Sequence, residues 1–257
     1  MDTKLSLSKL SIDDLYQTGK SGYLQNGEAL EYLKGKRDFW YNFSRVAMSL
    51  TGITGFFTLG LACGGVAISL KALAIAVSLD RLISIIEMLL ESFKDEITII
   101  PKVQSGAGKI ELFVKTIDGR LFAFESRSKG ISRVKWREDR QAFYISSRQK
   151  NGKARTHQWA ELSSIAKNLN QSVLNLKKEK NEIMGTSNRQ LSKPVTRAII
   201  FTGKTEIDPN NDLELFMDFG KHKKDDKKVL RVATENMIFL VNQDDLVDLL
   251  MLPDSKT

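Results

Sequence analysis

The sequence predicts an α+β (α/β) fold, a mixed sheet flanked by helices and preceded by a hydrophobic helical segment. Three observations predict it. Residues 46–70 contain no charged side chain. Beyond them, short runs of alternating apolar and polar residues bounded by turn residues recur between residues 96 and 241. Stretches with apolar residues at helical spacing, 79–93 and 157–180, flank and interrupt those runs. Strands and helices mixed in this order pack as a sheet covered by helices.

Residues 1–26 are polar and carry turn signals, with a short helix capped at Ser11; they read as a loosely held arm. A helix starts at Asn26-Gly27-Glu28 and runs through Ala29, Leu30, Leu33 and Phe39 into the uncharged run. That run exceeds the ~20 apolar residues that cross a bilayer. The flank before it sets Phe39, Trp40, Tyr41 and Phe43 between Arg37 and Arg45, a mixture typical of membrane interfaces. The chain crosses once, or twice as a hairpin turning at Cys63-Gly64-Gly65. The glycines of the run also suit a buried core helix, which is the competing reading. A hairpin would leave both ends in the cytosol, so the expected location is the membrane with a cytoplasmic C-terminal domain.

Next, Leu79, Leu82, Ile83, Ile86, Leu89, Leu90 and Phe93 form the apolar stripe of a helix whose opposite stripe is Asp80, Ser84, Glu87 and Glu91. Strands are expected at 96–103, across a hairpin at 109–128, and at 132–137 and 142–147. A helix over 157–180 turns Trp159, Leu162, Ile165, Ala166, Leu169 and Val173 inward. A polar linker at 185–192 leads to strands at 195–202, 213–219, 229–233 and 237–241. Asn242 caps a last helix, 243–252, that stops before Pro253. The chain thus divides into a polar arm and interfacial helix (1–45), a hydrophobic transmembrane segment or hairpin (46–79), and an α/β domain (80–257).

Charge follows the same division. Residues 1–93 carry nine Lys/Arg and nine Asp/Glu, so the whole net charge of +8 lies in residues 94–257. Within 127–155, ten basic residues face only Glu138 and Asp139. Such density implies an anionic partner, nucleic acid or lipid headgroups. The run Lys221-His222-Lys223-Lys224-Asp225-Asp226-Lys227-Lys228 reads as a solvated loop. The two histidines lie far apart without cysteine partners, which argues against zinc. Gly106-Ala107-Gly108-Lys109 lacks the spacing and the following Ser/Thr of a nucleotide-binding loop.

The most specific chemistry sits in the hairpin KIELFVKT (109–116) and RLFAFESRS (120–128). A one-residue slip in register moves every side chain to the other face. A two-residue Asp118-Gly119 loop would pair Leu112 with Glu125 and mix core with charge. A three-residue loop, Ile117-Asp118-Gly119 with Gly119 left-handed, pairs Glu111 with Glu125. It gathers Ile110, Leu112, Val114, Phe122 and Phe124 on one face, with Glu111, Lys115, Glu125 and Arg127 on the other. Two carboxylates directly opposite need a compensating cation, a metal ion or Arg127.

These residues resemble the PD-(D/E)xK, or restriction-endonuclease-like, nuclease superfamily, in which an acid on one strand and E-x-K on the next hold Mg²⁺ and position a water. Glu111 matches the first acid, Glu125 the second, and Ser128 and Gly130 the trailing positions of ESRSKG. Arg127 stands where the lysine would be, and it stays charged far above neutral pH, a poor proton-transfer group. The resemblance implies a restriction-endonuclease-like sheet and a site in which Glu111 and Glu125 bind Mg²⁺ and Arg127 clamps a phosphate. Folds of that family often open with a helix carrying an acid, which makes Glu87 or Glu91 a candidate to lean into the site, against the favoured reading of each as solvated charge. The basic residues Lys129, Arg133, Lys135, Arg137 and Arg140 would contact nucleic acid, DNA in the first place, with Trp136, Phe143 and Tyr144 as stacking surfaces or core. The expectation is a membrane-associated nucleic-acid-binding protein with Mg²⁺-dependent phosphodiester cleavage. The alternative is a non-catalytic membrane-anchored module that binds anionic lipid or a protein partner.

Overall fold

The computed structural model describes residues 23–54, 59–106, 108–148, 154–179, 183–184, 187–217, 228–234 and 236–252. Within them the protein is α+β, with two mixed sheets flanked by helices. The expected N-terminal arm and the helix at Ser11 lie outside the described residues, as does the basic run 221–228 except for Lys228, which pairs with Asp248 at 2.7 Å.

Two long helices open the described chain, α1 (Asn26–Thr54) and α2 (Leu59–Phe93). They run antiparallel. Lys34 meets Glu87 at 3.1 Å, Arg37 meets Asp80 at 3.4 Å, and Ser44 bonds Ser69. The expected turn at residues 63–65 is therefore displaced: Gly64 and Gly65 lie inside α2. The divisions at 45/46 and 79/80 likewise fall within continuous helices. Even adjacent glycines do not end a helix whose partner packs closely against it, because the packing offsets their low propensity. Among the described residues no helix is long and apolar enough to cross a membrane.

The first sheet has the order β1 (Ile97–Ser105), β2 (Gly108–Thr116), β3 (Leu121–Arg127), β7 (Val195–Phe201), β10 (Met237–Asn242), β9 (Val229–Ala233). The strands β1, β2 and β3 are antiparallel neighbours; β7 then lies parallel to β3 and β10 parallel to β7. The second sheet has the order β6 (Ala154–Gln158), β5 (Ala142–Arg148), β4 (Ser132–Arg137), β8 (Thr205–Ile207). Asn26 ties α1 to the outer edge of the first sheet, donating to Ile97 O at 3.0 Å and accepting from Ile99 N at 2.7 Å. One side chain thereby satisfies part of an edge that would otherwise invite another strand.

Helices cover the first sheet on both faces. On one side Leu79, Leu82, Ile86 and Leu89 of α2 pack on Ile99, Leu112, Phe122, Phe124 and Ile200, together with Leu246 and Leu250 of the terminal helix α5 (Leu246–Met251). On the other, α3 (Ala160–Lys178) buries Leu162, Ile165, Ala166, Leu169 and Val173 against Phe113, Ala123, Ile199 and the inner face of the second sheet. The expected inner stripe of this helix is thus the observed one.

Several elements differ from expectation for reasons of tertiary contact. Residues 154–158 form β6, which takes in His157 and Gln158 from the expected start of α3, paired to β5 from Tyr144↔Gln158 to Arg148↔Ala154. The segment ARTHQ is polar with residues 155–158 exposed, so an edge strand shows no alternation to read. Residues 213–215 form a 3-10 turn in place of a strand, after which Phe216 bridges Leu230 and Met217 N donates to Val229 O at 2.9 Å; residues 218–219 of the expected strand lie outside the described residues. A four-residue helix, α4 (Asn188–Leu191), stands in the expected linker. Asn242 makes no cap; its Oδ1 accepts from Ile207 N at 3.0 Å, stitching β8 to β10.

Asn170 of α3 is 4% exposed and its Oδ1 has no hydrogen-bond partner among the described residues. It borders a cavity of about 360 Å³ shared with Trp136 and Phe143. An unsatisfied buried oxygen costs ~1–3 kcal/mol. Asn170→Leu is accordingly expected to raise the thermal midpoint by about 3 °C, measured by calorimetry; a lower midpoint would show that the amide is needed there.

Candidate functional site

The hairpin closes as its residues require. Gly119 sits at φ 83°, Gly119 N donates to Thr116 O at 2.8 Å and Thr116 N donates to Arg120 O at 3.1 Å, a three-residue loop with a left-handed glycine. The register follows from it: Lys115↔Leu121, Val114↔Phe122, Phe113↔Ala123, Leu112↔Phe124. Glu111 then stands opposite Glu125.

At that pair the backbone ladder gives way to side chains. Glu111 N donates to Glu125 Oε1 at 3.2 Å, and Ser126 N donates to Glu111 Oε2 at 2.7 Å, joined by Ser126 Oγ at 3.0 Å. On the other flank Lys102 of β1 takes φ 54°, a left-handed conformation that a non-glycine residue adopts only when its surroundings impose it. Both strands rotate here. Ile99 and Leu112 pack toward α2, whereas Val103 and Ile110, each an even number of residues away, pack toward α3. Ile110 therefore leaves the face on which alternation places it. The face carrying Glu125 is no open charged surface either, because it also carries Phe113 and Ala123 and lies under α3.

Arg127 completes the cluster. Its Nη2 lies 3.1 Å from Glu125 Oε2, its Nη1 lies 3.6 Å from Glu111 Oε2, and Nη1 donates to Ser126 O at 2.5 Å. Glu125 is only 9% exposed. Burial first, and then the Glu111 charge, push its carboxyl up from 4.5 to about 7, while Arg127, the Glu111 amide and Lys109 pull it down. A carboxyl near neutrality in a cleft is suited to moving a proton.

Glu125 and Arg127 line a cleft of about 540 Å³ between the hairpin and α3, together with Lys109, Gln104, Asn168, Gln171 and Asn175. The helix comes close because β2 starts at glycine: a Cβ on Gly108 would stand 2.4 Å from Ser172 Oγ. Ser105 Oγ also donates to Ser172 O at 2.5 Å. Lys109 and the amides are the cleft residues that hairpin spacing alone does not single out. Lys109 was visible two positions before Glu111, and Asn168, Gln171 and Asn175 form a polar stripe at helical spacing.

Glu87 and Glu91 do not reach the site. They belong to α2, on the opposite side of the sheet, where Glu87 pairs with Lys34 and Glu91 is exposed. Trp136 and Phe143, 2% and 0% exposed with ring centroids 4.7 Å apart, are core and cannot stack on bases. Arg133, Lys135 and Arg137 share the outward face of β4, and Tyr144 sits beside them on β5, paired with Lys135. Arg137 lies over the Tyr144 ring at 4.9 Å and Arg140 donates to its hydroxyl at 3.2 Å. Lys129 lies 3.8 Å from Glu161.

As a cation site the acid pair fits Mg²⁺ in kind, since that ion takes one or two protein carboxylates and completes its shell with water and phosphate. No group of three or more His, Cys, Asp or Glu able to hold a metal occurs among the described residues. Arg127 itself occupies the cation's place between the two carboxylates. No protein-family model, curated protein or solved structure matches the chain.

Proposed function

We propose that the protein is a membrane-associated nucleic-acid-binding protein whose domain is a divergent restriction-endonuclease-like fold. The observation that carries this reading is the convergence of Glu111 and Glu125 on Arg127, with Glu125 and Arg127 lining a cleft together with Lys109. An acid on one strand, E-x-R on the next and a preceding helix follow the order that the nuclease resemblance implies. The outward row Arg133, Lys135 and Arg137 beside Tyr144 supplies phosphate contacts and one aromatic platform. Glu111 and Glu125 would hold Mg²⁺, which would supply a Lewis acid and an activated water at the phosphorus. Arg127 would then leave the acids and take a phosphate oxygen.

A second reading rests on the 3.1 and 3.6 Å distances from Arg127 to the two acids. The guanidinium replaces the metal, and the domain binds nucleic acid without cutting it.

Incubating the detergent-solubilised full chain with supercoiled plasmid separates the two. Cleavage predicts Mg²⁺-dependent nicking, abolished in Glu125→Ala and increased in Arg127→Lys. Binding alone predicts gel retardation that weakens steeply with salt and no nicking in any variant. In either case replacing Arg133, Lys135 and Arg137 together by glutamate is expected to weaken binding by at least about tenfold. Absence of binding at low salt would sink both.

A further inference from the structure

At the end away from the sheet, the two long helices distribute their described side chains inside out for water. Where they cross, Ser44 and Ser69 are 8% and 1% exposed and bond across the interface, Ser44 Oγ donating to Ser69 O at 3.1 Å and Ser69 Oγ to Ser44 O at 2.9 Å. Further out, a Cβ on Gly65 would stand 2.2 Å from Thr51 Oγ1, so the backbones approach as closely as glycine allows. The large apolar side chains point away from this seam. Val46, Met48, Leu50, Val66, Ile68 and Leu70 are 38–57% exposed. In water that arrangement leaves the hydrophobic surface unused and buries hydroxyls instead. In hydrocarbon it is the expected one, because helices there associate through small residues and interhelical hydrogen bonds while large apolar side chains face lipid.

The rim of the apolar region points to the same surroundings. Arg45 and Lys71, next to the serine crossing, are exposed and have no acidic partner among the described residues. Toward the sheet, Phe39, Trp40 and Phe43 cluster at ring-centroid distances of 5.4–6.2 Å, next to an Arg37, Tyr41 and Asp80 network. Cations and amphipathic aromatics in one layer match the headgroup region of an anionic bilayer. The reach is short. At 1.5 Å per residue, α2 rises about 17 Å from Leu59 to Leu70, and α1 about 12 Å from Val46 to Thr54. Half of the ~30 Å hydrocarbon core is about 15 Å.

We propose that the helical pair is a one-sided anchor. Its uncharged end enters a single leaflet of an anionic bilayer, Arg45 and Lys71 stay among the headgroup phosphates, and both helices return to the same side. This rests on the membrane half of the proposed function and is independent of nucleic acid.

The lone cysteine, Cys63, lies about 12 Å along α2 from Lys71 and serves as the probe position. The full chain, labelled there with an environment-sensitive fluorophore, is floated with phosphatidylcholine/phosphatidylserine vesicles. Flotation that survives high salt is expected, with quenching by mid-chain brominated lipid and none by aqueous iodide, whether outside or trapped in the lumen. Ile68→Asp combined with Leu70→Asp, both exposed positions, is expected to keep the native circular dichroism and lose salt-resistant flotation by at least about tenfold. Flotation fully reversed by salt, with the label open to external iodide, would overturn insertion while leaving membrane association standing. Quenching by lumenal iodide would overturn the single-leaflet placement. No flotation would overturn the membrane half altogether, and a dimer by light scattering that the aspartates dissolve would then name a second copy as the occupant.

Discussion

Arg127→Met is expected to lower the unfolding free energy at pH 8 by about 3 kcal/mol and to make the protein more responsive to Mg²⁺. The guanidinium is the only cation within ion-pairing distance of Glu111 and Glu125 among the described residues, at 3.6 and 3.1 Å. Without it two carboxylates face each other across adjacent strands, one of them 9% exposed. Breaking such a cluster on one side leaves charge buried and unpaired, which costs more than the intact cluster contributes. At pH 5 the loss should shrink, because Glu125 then carries a proton. Thermal denaturation with and without MgCl₂ reads both effects. A cation that binds only the folded acid pair raises the midpoint by mass action, so Mg²⁺, which in the parent must displace Arg127, should stabilise the variant more than the parent. Equal Mg²⁺ shifts in both proteins would mean that Arg127 does not hold the cation's place.

Glu125→Gln should flatten the dependence of stability on pH. The folded protein holds the Glu125 proton more tightly than the unfolded chain, its pKa raised from 4.5 to about 7. The stabilisation is therefore complete below the unfolded value and is lost as pH rises through the folded one. The affected window is about pH 4.5 to 7, and its full span is worth at most about 3 kcal/mol. Glutamine carries no such ionisation and its oxygen can still accept from Glu111 N, so the variant should exceed the parent in stability above pH 7. Urea denaturation at a series of pH values tests this. A parallel decline of parent and variant across the window would place the titrating group elsewhere.

The hairpin shows how much of the site was legible in the sequence. Gly119 and strict alternation on either side leave one register that separates core from charge, and local turn geometry enforces it. Where legibility ended is equally specific. Alternation places Ile110 with Leu112, but the strands rotate at Lys102 and Glu111, and the pressure for that comes from β1 and α3. The strand β6 escaped notice because an exposed polar edge strand has no pattern of its own and depends on pairing with β5. Asn242 looks like a helix cap in sequence, but its oxygen is taken by Ile207, 35 residues away.

The acid pair, its register and the uncharged run at 46–70 are legible in the sequence alone, because each depends on turn chemistry or on a local pattern of residues. Tertiary structure decided what those features are worth. Covering the hairpin with α3 buried Glu125 beside Glu111, raised the proton affinity of Glu125, and put Arg127 between the acids. Where α1 and α2 cross, their pairing turned Ser44 and Ser69 inward and left Val46, Met48, Leu50, Val66, Ile68 and Leu70 outward. Burial and the local dielectric are set by neighbours distant in the chain, and they decide whether a carboxylate is a surface charge or a site.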